Sequence, residues 1–272
     1  MPRRHYKWLM VVPAALAGLA LTIVPATAQA PYKAPRTSDG KANLNGIWQA
    51  LNTANWNIVG HAADFGPVQM GAQGAVNPGL GVIDGDALPY LPEAAAKQKA
   101  NYKDRLKLDP EVKCFLPGVP RATYQDHPFQ IVQSPDVVMF VYEFAGGVRS
   151  IPMKNPGPAP APSWMGWSWG RWEGDTLVVD AAGFNDQTWF DRAGNFHSDA
   201  LHVVERYTPR SAETITYEAT IEDPKVFSRP VKMSMPLYRR VEKNAQLMEF
   251  KCVEFVEELM YGHLRKGAQQ KQ

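Results

Sequence analysis

The sequence predicts a mainly β protein, either a single antiparallel barrel or a sandwich, of roughly ten strands with one or two peripheral helices. Three observations carry that expectation. From Phe129 onward apolar residues recur in short alternating runs, the period of a strand with one buried face. Turn residues such as Ser134-Pro135-Asp136, Gly146-Gly147 and Glu173-Gly174-Asp175 separate these runs at fairly even spacing. Ahead of them only one long segment, Pro92 to Leu106, reads as a helix.

Residues 1–30 read as a secretory leader. Arg3, Arg4 and Lys7 form a basic start, Trp8 to Val24 an apolar run, and Ala28-Gln29-Ala30 a small-residue cleavage site. An uncleaved anchor is the alternative, but the run is short for a span and holds Pro13 and Gly18. The expected setting is periplasmic or secreted, with no stable membrane insertion after cleavage. Taking the leader's three basic residues from 29 leaves 26 against 27 acidic ones. Without a Lys/Arg cluster outside Arg265-Lys266, such a balance argues against nucleic acid as a partner. The remaining length suits one domain over 31–272. Cys114 and Cys252 are the only cysteines and are expected to be bridged in an oxidising compartment, a catalytic thiol being the rival reading.

The first strand is expected at Leu44 to Gln49. Residues 59–90 are rich in Gly, Ala and Pro and lack periodicity, which reads equally as a lid or as a surface insert. The helix at 92–106 has Pro92 in its first turn and Glu93 near its positive end, and Asp109-Pro110 stops it. Strands are then expected at 130–133, 137–144, 148–153, 165–173, 176–181, 201–207, 214–221, 231–239 and 246–252, with a hairpin at Trp172-Glu-Gly-Asp-Thr176 and a closing helix over 253–264.

Gly46-Ile47-Trp48 resembles the opening strand of lipocalin-type barrels, which implies a lipocalin-like architecture. Cys114-Phe-Leu-Pro-Gly-Val-Pro-Arg121, Trp172-Glu-Gly-Asp-Thr-Leu-Val-Val-Asp180, Gly183-Phe-Asn-Asp186 and His197-Ser-Asp-Ala-Leu-His-Val-Val-Glu-Arg206 together resemble a large family of secreted bacterial proteins with many paralogues. The resemblance covers nearly the whole mature chain and carries no agreed activity. Where many relatives have an acidic Asp-Gly-Arg segment, this chain has Lys154-Asn155-Pro156-Gly157-Pro158.

Five of the eight tryptophans fall within 162–208. In an extended chain Trp167, Trp169, Arg171 and Glu173 share one face, which describes either a lined pocket, with Trp189 nearby, or a packed barrel wall. His197, Asp199, His202 and Asp191 form the candidate acid/base set, because a carboxylate beside imidazole holds its tautomer. The competing reading is ordinary turn chemistry. Arg121, Tyr124, Asp126, His127 and Arg149 form a third group that could hold an anionic group or polarise a carbonyl. No metal-ligand spacing, serine elbow, phosphate loop or dinucleotide fingerprint occurs, so no metal and no organic cofactor are expected. The leading expectation is a cofactor-independent lyase, isomerase or hydratase acting on a hydrophobic aromatic or polycyclic small molecule. Its substrate contacts would come from Trp167, Trp169, Trp189, Tyr124, His127 and Arg149. The alternatives are a carrier of such a molecule and a structural envelope protein.

Overall fold

Apolar–polar alternation is realised as nine strands: β1 Gly46–Ala50, β2 Phe129–Gln133, β3 Val137–Tyr142, β4 Val148–Pro152, β5 Trp167–Glu173, β6 Thr176–Ala182, β7 His202–Pro209, β8 Thr214–Glu222 and β9 Val231–Arg239. The computed structural model describes residues 32–63 and 76–264; the leader at 1–30 and the centre of the Gly/Ala/Pro-rich stretch lie outside the described residues. The strands form one sheet in the order β4-β3-β2-β1-β9-β8-β7-β6-β5, each neighbouring pair antiparallel. The sheet is a nearly closed barrel, so the barrel rather than the sandwich is the outcome.

An odd number of alternating strands leaves the edge strands β4 and β5 running in the same direction. They are consecutive in the chain, yet no hairpin can join parallel strands. Residues 153–166, punctuated by Pro156, Pro158, Pro160 and Pro162, therefore carry the chain back along the barrel. The edges meet through Arg149 Nε, which donates to Ser168 Oγ at 2.9 Å, and through Gly170, where a Cβ would lie 3.0 Å from Ile151.

Strand direction distinguishes the two ends. One end holds the start of β1, the end of β9 and the tight turns β2–β3, β5–β6 and β7–β8. Here the Gly-x-Trp motif has a physical reason. Gly46 sits at φ +145°, and a Cβ there would come within 2.1 Å of Arg239 Nη1. The space left free lets the guanidinium lie over the Trp48 ring at 4.3 Å and donate to the carbonyls of Asn45 and Ala212 at 2.7 and 2.8 Å. The other end, the mouth, collects the long connections 51–128 and 183–201 together with 143–147 and 223–230.

The lumen is filled. Phe129, Phe140, Tyr142, Tyr207 and Tyr217 interlock, with ring centroids 5.1–6.3 Å apart across their contacts. Among them lies an ion pair, Arg149 Nη2 to Glu205 Oε2 at 2.5 Å. Glu205 Oε1 also accepts from the hydroxyls of Tyr207 and Tyr217, each at 2.9 Å. Burial alone would lower Arg149, but the Glu205 carboxylate outweighs it and raises it. Glu205 shares inward parity with Val203 and Tyr207.

Two expectations are corrected. Residues 246–252 form no strand: the preceding strand β9 is paired on both sides, with β1 and β8, and the two terminal strands β4 and β5 face each other. The segment instead runs as an arm held by side chains. Phe250 packs on His127 and Phe144, the Met248 N–H donates to Glu143 at 2.8 Å, and Cys252 is disulfide-bonded to Cys114. The helix expected at 92–106 divides at Asp104 into α1, Pro92–Lys103, and α2, Arg105–Leu108. The closing helix, α3, is Val256–Tyr261, continued by a 3-10 turn over Gly262–Leu264.

Candidate functional site

The connections at the mouth fold over the lumen around a buried ionic cluster. Arg121, 1% exposed, reaches both oxygens of Asp109 at 2.8 and 2.9 Å, contacts Glu111, and donates from Nε to Asn55 at 2.8 Å. Arg192 Nη2 donates to the other Glu111 oxygen at 2.7 Å. Burial alone would raise Glu111, but Arg121 and then Arg192 outweigh it and hold the carboxyl at about 2. Two cations and two carboxylates thus fasten the residues after β1, the 3-10 turns at Pro110–Lys113 and Arg121–Tyr124, and the β6–β7 connection to one another.

Asp191 serves the same connections. Its carboxylate accepts from the backbone N–H groups of Ile58, Ala193 and Asn195 at 2.9, 2.9 and 3.2 Å and from Asn195 Nδ2 at 2.6 Å. Burial pushes it up to about 6 against these donors. These contacts hold residues 189–196 against Ile58.

Beside this cluster, outside the lumen, lies a cavity of about 560 Å³. Its apolar walls include Trp56, Val76, Ala63 and Ala193; its polar side is built by Lys99 and Tyr102 of α1, Arg105 of α2 and Arg192. Arg192 lies over the Trp56 ring at 4.6 Å and Arg105 over the Tyr102 ring at 4.4 Å. Gln98 Nε2 donates to the Ala193 carbonyl at 2.8 Å, tying α1 to the β6–β7 connection at the cavity's rim. The volume is in the range that holds a small organic molecule.

The residues picked from the sequence are not gathered into one site. His197 is buried and its pKa is lowered by that burial; Nδ1 donates to the Ser198 carbonyl at 2.8 Å and Nε2 accepts from Thr188 Oγ1 at 2.5 Å. Asp199 is on the surface, paired with Lys225 at 2.6 Å. His202 lies on the outer wall of β7, 3.1 Å from Asp180 and 3.6 Å from Glu222. Trp167 and Trp169 do share a face, but it is the outer one, Trp167 being 40% exposed, and Arg171 lies over the Trp169 ring. Trp189 is buried in the core. Tyr124 is buried and donates to the Phe190 carbonyl at 2.9 Å. Arg149 is enclosed with Glu205. His127 pairs with Glu143 at 3.2 Å beneath Phe250. Asp126 lies toward the ionic cluster, near Arg192, Glu111 and Asn55, its pKa raised by burial.

The cavity residues Trp56, Tyr102, Arg105 and Arg192 escaped the sequence reading because they are scattered over more than half of the described chain. The one signal available was aromatic residues in connections that otherwise hold polar turn residues. Among the described residues no group of three or more His, Cys, Asp or Glu is arranged to hold a metal ion, and no helix is long and apolar enough to cross a membrane. A scan of the chain against protein-family models and a search of curated proteins each returned no match.

Proposed function

We propose that this protein is a binding or carrier protein of the cell envelope that takes up a small aromatic molecule in the cavity beside the barrel mouth. The observation that carries this reading is the 560 Å³ cavity walled by Trp56 and Tyr102, set against a lumen already filled by its own side chains. The periplasmic or secreted setting is supported by the Cys114–Cys252 disulfide, which oxidising compartments preserve, and by the leader-like residues 1–30. An acid/base enzyme would draw on His197, Asp199, His202 and Asp191, and their separate placements favour the binding reading over it.

The test is a fluorescence titration of the mature protein with N-phenyl-1-naphthylamine and related aromatic probes. Saturable one-site binding that disappears in Ala63→Trp is expected, because the exposed Ala63 lines the cavity and an indole there would fill it. Binding that is unchanged in Ala63→Trp would locate the ligand elsewhere and remove this reading.

A further inference from the structure

We infer that a second cavity, at the closed end of the barrel, binds a small monocarboxylate whose carboxyl group meets Arg239. The inference is independent of the mouth cavity and of the reading built on it. The closed-end cavity has a volume of about 370 Å³ and lies between the segment before β1, the β7–β8 turn and the residues that follow β9. Tyr32, Pro35, Leu44, Trp48 and Val241 give it apolar surface, and Arg239 is the one cation among its described lining residues. The volume is at the small end of the range for organic ligands.

Arg239 carries a charge that no carboxylate answers. Its guanidinium lies over Trp48 and donates from Nε to the Ala212 carbonyl at 2.8 Å and from Nη1 to the Asn45 carbonyl at 2.7 Å. These bonds use two of the five N–H groups of an arginine, and a carbonyl orients a cation without neutralising it. Among the described residues Arg239 forms no ion pair and its Nη2 has no acceptor. Glu213, the one carboxylate lining the cavity, is exposed and meets Arg239 through the backbone, its carbonyl accepting the Arg239 N–H at 2.9 Å. Burial lowers Arg121 and Arg149 too, but Asp109 and Glu205 outweigh it and raise them. Arg239 is left lowered by burial, and the one ionisable group that opposes this is Tyr32. A guanidinium partly removed from water in this way gains from an anionic partner, and a carboxylate accepts the N–H groups that the carbonyls leave over. The indole and the two carbonyl bonds fix the fork before a ligand arrives, which lowers the ordering cost of binding. The apolar walls fit a ring or short chain attached to the carboxyl group.

The experiment follows the Trp48 indole N–H, which donates to the Leu44 carbonyl at 2.9 Å, in proton–nitrogen correlation spectra of the mature protein titrated with benzoate or with its neutral counterpart benzamide. Benzoate is expected to shift this signal saturably and to bind about tenfold more tightly than benzamide, the order of one charge-assisted hydrogen bond. Val241 is exposed and lines the cavity, so Val241→Glu brings a competing carboxylate there without touching the core, and Val241→Gln is its neutral control. Benzoate should bind about threefold to tenfold more weakly to Val241→Glu than to Val241→Gln, and added salt should weaken it further. Ala63→Trp, at the mouth, should leave the Trp48 titration unchanged. No saturable shift with millimolar benzoate, equal affinity for benzamide, or equal benzoate affinity in the two Val241 variants would overturn the inference. A Trp48 response that disappears in Ala63→Trp would place the anion at the mouth and overturn it as well.

Discussion

At the closed end of the barrel Arg239 lies over Trp48 and donates to carbonyl oxygens, and the ion pairs around it, such as Arg36–Asp175 and Arg206–Glu173, are exposed. At the mouth four charged side chains, Arg121, Arg192, Asp109 and Glu111, interlock out of water. The closed end is assembled from tight turns and from strand termini that are paired with each other, so a small motif suffices. The mouth must hold two long connections with few backbone ladders of their own, and buried ion pairs supply the fixed geometry there. The cavity lies on the mouth side, where Arg192 belongs to the ionic cluster and to the cavity wall at once. Structure and candidate function are therefore coupled at the mouth and separate at the closed end.

That contrast is most exposed to Arg121→Ala. The substitution leaves Asp109 buried without its cation and Glu111 with only Arg192, and we expect a loss of about 3–5 kcal/mol in urea unfolding. A loss below about 1 kcal/mol would show that the mouth does not depend on the cluster. Acid should act on the same place. Glu111 has a folded pKa of about 2, below its ordinary value of 4.5. Its contribution is thus present above about pH 4.5 and is lost as the pH falls toward 2, on the order of 3 kcal/mol in all. Urea midpoints measured from pH 5 to pH 2 should fall less steeply in Glu111→Gln than in the unaltered protein, and parallel profiles would contradict the assignment.

At the closed end Gly46→Ala should cost about 1–3 kcal/mol, since it combines a backbone conformation that suits glycine with displacement of Arg239 from Trp48. Probe binding at the cavity should survive in this variant under conditions where it remains folded; a parallel loss of affinity would show that the two ends are coupled after all. The smallest effect is expected for Asp199→Asn, which removes only the exposed pair with Lys225. Neither the unfolding midpoint nor probe affinity should change measurably, and a clear change in either would return Asp199 to the candidate site.

Much of the wall was legible in the sequence. Nine of the expected strands are present within a few residues, and the hairpin at Gly174-Asp175 closes with Glu173 opposite Thr176. The expected bridge between Cys114 and Cys252 is also formed. The strand expected at 246–252 shows the limit of such reading. Its alternation is compatible with a strand, but a strand needs an unpaired edge to join, and edge availability is a property of the whole sheet.

The sequence by itself determined which residues share a face, because side chains alternate along an extended chain whatever surrounds it. It also determined the Gly46–Trp48 pair, the turn positions and the cysteine pairing. Which of two faces looks inward was decided only by the tertiary structure. Trp167 and Trp169 point outward while Arg149 and Glu205 point inward, against the expectation from polarity alone, the two charges lying against each other and Glu205 accepting from Tyr207 and Tyr217. The cavity was decided in the same way. Trp56, Lys99, Tyr102, Arg105 and Arg192 meet only when two connections are fastened over the mouth, and contacts between residues so far apart in the chain leave no local pattern to read.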